Sequence, residues 1–261
     1  MKLLRITCLA AMAAFIAAAD LPPSSISTRN LATPKPGPSE ADAEYQRGVR
    51  FADGTGTEQN YKLAAECFRR AADKGHPAAQ YNLGYLYANG LGVAQDDRQA
   101  VEWFRKAALA GDAQAENNLG VMYAGGRGVR HSDRKAAYWY RKSEAQNDPE
   151  GTNNLGIMYM EGRGVKRDLV QAFDLFRKAA NLGYAVAQNN LALMYVNGRP
   201  VQRDYMWAYA WLDIAAEQIP ACATLRDQIS KRMTTVEITR GRLLAARKRA
   251  EMSSGTSEAK R

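Results

Sequence analysis

The chain has 261 residues, 46% of them hydrophobic and 24% charged, which is enough apolar material for a sizeable core. Its longest apolar run, Ile6 to Ala19, is shorter than the roughly 20 residues a helix needs to cross a bilayer, so a polytopic membrane protein is excluded. With three cysteines and two histidines we expect no disulfide framework, no metal site and no cofactor. The net charge is +9, and removal of residues 1–19 would leave +7, nearly all of it in the C-terminal tail from Ala223 onward.

The first 42 residues predict two segments outside the folded body. Lys2 and Arg5 precede the apolar run and three alanines end it, an order typical of a secretory signal peptide over residues 1–19. The alternative is an uncleaved N-terminal anchor. Residues 20–42 are rich in proline and serine, so we expect a disordered linker there. We therefore predict a periplasmic or secreted protein with no membrane span after signal cleavage.

Between residues 43 and 218 the chain repeats with a period of 36 residues, which gives five repeats. The triplet Asn-Leu-Gly at Asn82 recurs at Asn118 and Asn154, and it becomes Asn-Leu-Ala at Asn190. A period of this length is typical of repeat proteins in which each unit packs only on its neighbours.

Each repeat predicts two helices joined by a glycine-rich loop. Apolar and small residues at i, i+4 spacing mark both helices, as Leu83 and Tyr87 do in the second repeat. The loop reads Gly-x-Gly-Val, and its glycine suits the left-handed residue that ends a helix. A cap-forming residue then precedes each second helix: Asn60, Asp96, Ser132, Asp168 and Asp204.

The two ends of the array depart from the repeat pattern. Arg47 and Arg50 take positions that hold leucine in the second repeat, which predicts a polar terminal repeat. After the last repeat, residues 219–252 predict a helical cap, whose final helix has an apolar stripe at Val236, Leu243 and Leu244. Residues 253–261 are expected to be a disordered tail.

The pattern Ala-x-x-Asn-Leu-Gly-x-Met-Tyr-x-x-Gly-x-Gly-Val-x-x-Asp, followed by Ala-x-x-Trp-Tyr-x-Lys-Ala, resembles the Sel1-like repeat, a relative of the tetratricopeptide repeat. Gly151 departs from it where the pattern has alanine, whereas Asn154 to Val165 match closely. The resemblance implies an all-α fold, a right-handed α-solenoid of helix–loop–helix repeats with a C-terminal helical cap. It also implies a concave groove, lined by the first helices, that binds extended peptides or partner helices.

Carried onto this chain, that concave face consists of asparagines with apolar side chains between them. An asparagine amide both donates to and accepts from a peptide backbone, so a ladder of asparagines is suited to holding a peptide. The alternative for the series that begins at Asn82 is a structural hydrogen bond to the neighbouring repeat. The candidate binding residues are Asn82, Tyr85, Asn117, Asn118, Val121, Asn153, Asn154, Ile157, Asn189, Asn190 and Leu193.

Residues that could support catalysis are few, so we expect no enzyme activity. His76 falls between repeats, where Asp112 and Asp148 stand in later repeats, and we interpret it as a helix cap. Cys67 takes a position held by tryptophan or leucine elsewhere, which predicts burial. Cys222 lies beyond the fifth repeat, so we expect a more accessible thiol and no disulfide with Cys67.

Basic pairs also recur at the repeat step, at positions 69/70, 105/106, 141/142 and 177/178. They are consistent with a solvated helix face or with an anion-binding stripe. Nucleic acid is not expected as a partner, because no aromatic residues interleave with these pairs.

We therefore predict an exported scaffold or regulatory adaptor that binds a protein or peptide through its concave helix face. One alternative is a hydrolase of cell-wall or β-lactam amides, an activity assigned to some relatives that carry paired cysteines in each repeat, which this chain lacks. The other is a module that docks on anionic envelope surfaces through its basic C-terminal helix.

Overall fold

The computed structural model describes residues 39–258. This part of the chain holds twelve helices and no strand, so the predicted all-α fold is confirmed. None of its helices combines the length and the apolar character needed to cross a membrane. The predicted signal segment (1–19), most of the linker (20–38) and the last three residues lie outside the described residues.

The helices fall into two compact units, one ending at Ser132 and the other beginning at Asp133. The first unit contains α1 (Glu40–Asp53), α2 (Tyr61–Asp73), α3 (Pro77–Asn89), α4 (Asp97–Leu109) and α5 (Ala113–Gly125). The second unit contains α6 (Asp133–Ala145), α7 (Pro149–Glu161), α8 (Leu169–Asn181), α9 (Ala185–Asn197), α10 (Tyr205–Ala215), α11 (Ala221–Ser230) and α12 (Thr235–Glu258). From α1 to α5 and from α6 to α11, helices consecutive in the chain pack against each other, and α12 packs on α10.

Side-chain caps begin the helices where the sequence predicted them. His76 caps α3, because its Nδ1 accepts a hydrogen bond from the Ala79 backbone N–H at 3.2 Å. Ser132 is the last residue before α6. The second helices α2, α4, α8 and α10 are capped by the side chains of Asn60, Asp96, Asp168 and Asp204. These caps satisfy backbone N–H groups that no helical carbonyl reaches.

The two loop glycines serve different purposes. The first, as at Gly90, adopts the left-handed conformation that ends the helix, with φ +67°. The second allows close approach: a Cβ on Gly128 would lie 2.2 Å from the carbonyl oxygen of Asp97. A Cβ on Gly164 would likewise lie 2.2 Å from the carbonyl oxygen of Asp133. The loop of one repeat thus rests directly on the first turn of the preceding second helix, a role the sequence had not indicated.

The core lies between the two helices of each repeat, and in the first, second and fourth repeats a glycine of the first helix faces a phenylalanine of the second. A Cβ on Gly84 would lie 2.8 Å from the Phe104 ring, and one on Gly156 would lie equally close to Phe176. Both phenylalanines are fully buried. The glycine of the Asn-Leu-Gly triplet is therefore a packing residue, since only the absence of a side chain leaves room for the ring.

The first helix begins earlier than expected. Residues 40–42, which we predicted to belong to the disordered linker, form the first turn of α1. Ser39 Oγ accepts a hydrogen bond from the Asp42 backbone N–H at 3.1 Å, and the Asp42 carboxylate accepts one from the Ser39 N–H at 2.9 Å. This reciprocal pair is a capping box, and it corrects the predicted boundary. As predicted for a polar end, Arg47 and Arg50 are exposed.

The C-terminal cap also differs from the prediction in two respects. Residues 253–258, expected to be disordered, continue α12, and the Ser253 hydroxyl donates to the Arg249 carbonyl at 2.9 Å. Of the predicted apolar stripe, Val236 and Leu243 are 60% and 66% exposed. The helix packs through Gly241 and Ala245, both buried, and through Leu244, the member of the predicted stripe that lies against the core. Gly241 decides this orientation, because it lets the helix lie against the ring of Tyr209.

Candidate functional site

Most of the residues predicted to line a binding groove are inside the protein. Those that are buried are Asn82, Tyr85, Asn117, Asn118, Asn153, Asn190 and Leu193. Their burial corrects the prediction of an exposed asparagine ladder, because a side chain with no accessible surface is not available to a ligand. The remaining candidates, Val121 in the first unit and Asn154, Ile157 and Asn189 in the second, are partly exposed.

One pair of buried asparagines joins neighbouring repeats in the second unit. The Asn190 Nδ2 donates to Asn153 Oδ1 at 2.9 Å, across 37 residues of chain. The residue 37 positions before Asn118 is Tyr81, which offers no amide oxygen. In agreement, Asn118 Nδ2 is buried with no hydrogen-bond partner in the described chain. In the series that begins at Asn82, a structural hydrogen bond to the neighbouring repeat is therefore confirmed at Asn190.

The accessible part of the first-helix face in the second unit consists of Asn154, Ile157 and Asn189, which we call the second-unit face. Asn154 and Ile157 lie on α7 and Asn189 lies on α9. Asn189 is held by Cys222, whose thiol lies 3.6 Å from Asn189 Oδ1. Asparagine amides can hydrogen-bond a peptide backbone, and a partly exposed isoleucine can contact an apolar side chain of a partner.

Several members of the recurring basic pairs contact a neighbouring helix. In three of the four pairs the first member donates to a tyrosine hydroxyl 18 residues later, namely Arg69 to Tyr87, Arg105 to Tyr123 and Arg141 to Tyr159. In the fourth pair Arg177 donates to Asp174 of its own helix at 2.8 Å. The second member pairs with a glutamate in two cases, Arg70 with Glu44 at 2.8 Å and Lys178 with Glu144 at 2.7 Å. These contacts leave fewer cations for the anion-binding stripe than the sequence suggested.

Loop arginines form a second set of contacts that sequence reasoning missed. Arg127, between the two glycines of its loop, lies 2.7 Å from Asp97. Arg163 makes the same contact with Asp133 at 2.8 Å. In each case the carboxylate belongs to the first turn of the preceding second helix, where a negative charge also favours the helix dipole. The shared Gly-Arg-Gly spacing was the signal that could have indicated these contacts.

A pair of carboxyl groups lies at the start of α7. Asp148 caps the helix by accepting from the Gly151 backbone N–H at 2.7 Å and from the Ser143 hydroxyl at 2.9 Å. Burial, and secondarily the charge of Asp148, raises the pKa of Glu150 to about 7. Burial likewise raises the pKa of the Tyr184 phenol. A perturbed pKa can mark a functional site, but here the capping role of Asp148 accounts for the arrangement.

The described residues hold no cluster of three or more histidine, cysteine, aspartate and glutamate side chains suited to a metal ion. Cys67 is buried, as predicted, whereas Cys222 is buried as well, against the expectation of an accessible thiol. Cys222 lies in the core of the second unit, because α11 folds back onto α10. Burial raises the pKa of both thiols, which lowers their reactivity at neutral pH.

Two arginines, one from each cap helix, hold the cap in place. Arg249 lies 3.0 Å from Asp213 and 2.6 Å from Glu217, both at the end of α10. Arg226 of α11 also reaches Asp213, at 2.8 Å. These ion pairs compete with the docking of the C-terminal helix on an anionic surface.

The comparisons with known proteins agree with this repeat geometry. Three similar solved structures are a protective antigen of uropathogenic Escherichia coli with an SLR fold, a Sel1 repeat protein from Oxalobacter formigenes and an immunity protein from Pseudomonas aeruginosa. Identity and TM-score are 32% and 0.76 for the first, and 29% and 0.71 for the second. The third, at 21% and 0.52, shows the fold alone.

The alignments cover 83% of this chain for the first two structures and 85% for the third. They cover 88% of the Oxalobacter protein and 83% of the Pseudomonas protein. The chain spans about half of the Escherichia coli antigen, 47% of its length. No protein of curated function matches the chain significantly.

A family model of the Sel1 repeat matches five consecutive stretches: residues 41–76, 77–112, 113–148, 149–184 and 185–219. Each begins two residues before the register inferred from the sequence and keeps the same period. The family model and the solved structures together establish the fold as the Sel1 solenoid. The chain belongs to the Sel1 repeat family.

Proposed function

We propose that this protein is an exported, non-catalytic scaffold or adaptor that binds a partner protein or peptide through the second-unit face. The Sel1 fold is typical of protein-interaction scaffolds. We choose this surface because Asn154, Ile157 and Asn189 are partly exposed, whereas most of the other predicted binding residues are buried. The face pairs hydrogen-bonding groups with one apolar contact, a combination found at peptide-binding surfaces.

A binding experiment with a double variant tests this proposal. Wild type and Asn154→Ala/Ile157→Ala would be used to capture partners from an envelope extract, and each captured protein would then be titrated in purified form. We expect saturable binding that is at least tenfold weaker for the double variant, because the variant removes both the amide and the apolar contact. The matched control is Val170→Ala, which shortens a side chain that is 57% exposed in the same unit.

Equal binding by wild type and the double variant would rule out the second-unit face. Failure of the wild type to bind any partner saturably would rule out the scaffold function. Circular dichroism and thermal unfolding of each variant must match the wild type, so that a loss of binding is not a loss of fold.

Export is supported by the order of charges, apolar residues and alanines in residues 1–19. We expect the mature chain to begin at Asp20 or within about three residues of it. N-terminal sequencing or intact-mass measurement of native protein checks this, and retention of Met1 would contradict it.

A further inference from the structure

The first repeat keeps a loop geometry that the inner repeats use to receive a helix. In the inner repeats a Cβ on Gly92, Gly128 or Gly164 would lie 2.2 Å from the backbone of the preceding second helix. Gly56 is the equivalent residue of the first repeat and has the same left-handed backbone, with φ +73°. Within the described chain, however, no atom lies within 4 Å of a Cβ placed there. Among residues 39–258 no helix precedes α1, and the receiving surface of the first repeat contacts none of the described residues.

An open cavity of about 180 Å³ lies at this surface. Its lining residues are Arg47, Arg50, Phe51, Thr55, Gly56 and Thr57. The Arg47 guanidinium lies 5.8 Å from the centre of the Phe51 ring, a cation–π contact that orients it. Among the described residues neither Arg47 nor Arg50 has a carboxylate within ion-pair distance. The cavity therefore combines an open loop with two positive charges.

The inner repeats indicate what such a surface binds. In the third and fourth repeats the loop arginine pairs with a carboxylate in the first turn of the received helix, as Arg127 does with Asp97 and Arg163 does with Asp133. In the first repeat Thr55 takes the place of the loop arginine. Arg47 and Arg50 supply the positive charge from α1 instead, so a helix with an acidic first turn complements the surface in both shape and charge.

We propose that Arg47, Arg50, Thr55, Gly56 and Thr57, which we call the N-terminal acceptor, bind the acidic first turn of a helix in a partner protein. The inference rests on the proposed scaffold function and names one of its contacts. A second copy of this chain fits less well, because two acceptors face to face would oppose their arginines. At the other end, the cap helices cover α10 through ion pairs of Arg226 and Arg249 with Asp213.

The probe for this surface is a stapled helical peptide with the sequence of residues 95–109, which carries Asp97 in its first turn. The full mature chain is labelled with ¹⁵N, and its amide resonances are followed as peptide is added. We expect saturable shifts centred on Thr55, Gly56 and Thr57. Binding should weaken at least tenfold for the protein variant Arg47→Gln/Arg50→Gln and for a peptide in which Asp96 and Asp97 are replaced by asparagine.

The control variant Lys62→Gln/Arg98→Gln removes two exposed cations of the same unit and should bind as wild type does. Well-dispersed resonances outside the loop show that each variant is folded. The inference is overturned if millimolar peptide gives no saturable shift at the loop. It is also overturned if the Arg47→Gln/Arg50→Gln protein and the asparagine peptide both bind as tightly as the wild-type protein and peptide do. It is also overturned if deletion of residues 20–38 alone shifts these amides, or if sedimentation reveals a dimer that Arg47→Gln/Arg50→Gln abolishes.

This measurement separates the two proposals. The peptide does not depend on Asn154 or Ile157, so a negative result leaves the second-unit face standing. Conversely, Asn154→Ala/Ile157→Ala can lose partner binding while its peptide binding is unchanged. That result would support the second-unit face and would not contradict the N-terminal acceptor.

Discussion

Gly128 approaches the carbonyl oxygen of Asp97 so closely that a Cβ at residue 128 would lie 2.2 Å from it. Gly128→Ala must therefore displace the loop and also place alanine at φ +65°. We expect it to lower the free energy of unfolding by roughly 2–5 kcal/mol, the sum of a left-handed alanine and an overpacked contact. Urea denaturation followed by circular dichroism measures this loss.

Gly56→Ala is the matched control for that measurement, since Gly56 has a similar φ and open space around it. It should lower the free energy of unfolding by about 1–2 kcal/mol, the conformational part alone. Equal losses for the two variants would show that close approach between repeats contributes nothing.

The leucine of the Asn-Leu-Gly triplet supports the core of each repeat. Leu119 is fully buried and Leu155 is 3% exposed, so Leu→Ala at either position should lower the free energy of unfolding by roughly 2–5 kcal/mol. Arg47→Ala, at the equivalent but exposed position, should change it by less than about 1 kcal/mol. Chemical denaturation compares the three variants, and equal losses would contradict the repeat register.

The hydrogen bond between Asn190 and Asn153 predicts energetic coupling between two repeats. Each single change to alanine leaves the other amide buried without its partner, whereas the double change removes both groups. A double-mutant cycle on the free energy of unfolding should therefore give a coupling of about 1 kcal/mol. A cycle on Asn118 and Tyr81, which share no such bond, should give a coupling near zero, and similar couplings in both cycles would argue against the assigned hydrogen bond.

Glu150 predicts an unusual dependence of stability on pH. Its folded-state pKa of about 7 lies above the ordinary value of 4.5. Between these two values the unfolded chain ionises while the folded chain keeps its proton, so the contribution of Glu150 to stability falls as pH rises from about 4.5 to about 7. Glu150→Gln should thus match wild type near pH 4 and exceed its free energy of unfolding by about 1–3 kcal/mol at pH 8.

Urea denaturation of both proteins across this pH range checks the effect. Asp148→Ala serves as a comparison, because it removes the neighbouring charge together with the side-chain cap of α7 and should lower the free energy of unfolding at neutral pH. A Glu150→Gln variant that tracked wild type at pH 8 would show that the carboxyl is ionised without cost.

The thiols of Cys67 and Cys222 should react slowly. Cys67 and Cys222 are buried, and their raised pKa keeps them protonated at neutral pH. Modification by an aromatic disulfide reagent should be slow in native protein and fast in denaturant for both residues. Rapid native reaction of Cys222 alone would contradict its place in the core.

The sequence by itself determined the local features of this protein. The 36-residue period, the helix pairs and the caps at His76, Asp96 and Asp168 follow from contacts between residues a few positions apart, which a sequence pattern displays directly. The glycine that ends each first helix belongs to the same class, because its conformation depends on its own backbone. The predicted boundaries were wrong at residues 40–42 and 253–258, because we judged these segments by composition. The first segment follows a capping box, and the second continues a helix.

Only the tertiary structure decided which polar residues are accessible and which faces are covered. Asn153 and Asn154 are adjacent and identical in the sequence, yet one is buried in a bond to the next repeat and the other is partly exposed. Likewise, Leu243 is exposed and Ala245 is buried, because Gly241 sets the face of α12 that meets Tyr209. Whether a side chain is buried depends on contacts with residues distant in the chain, and the sequence pattern within one repeat does not show those contacts.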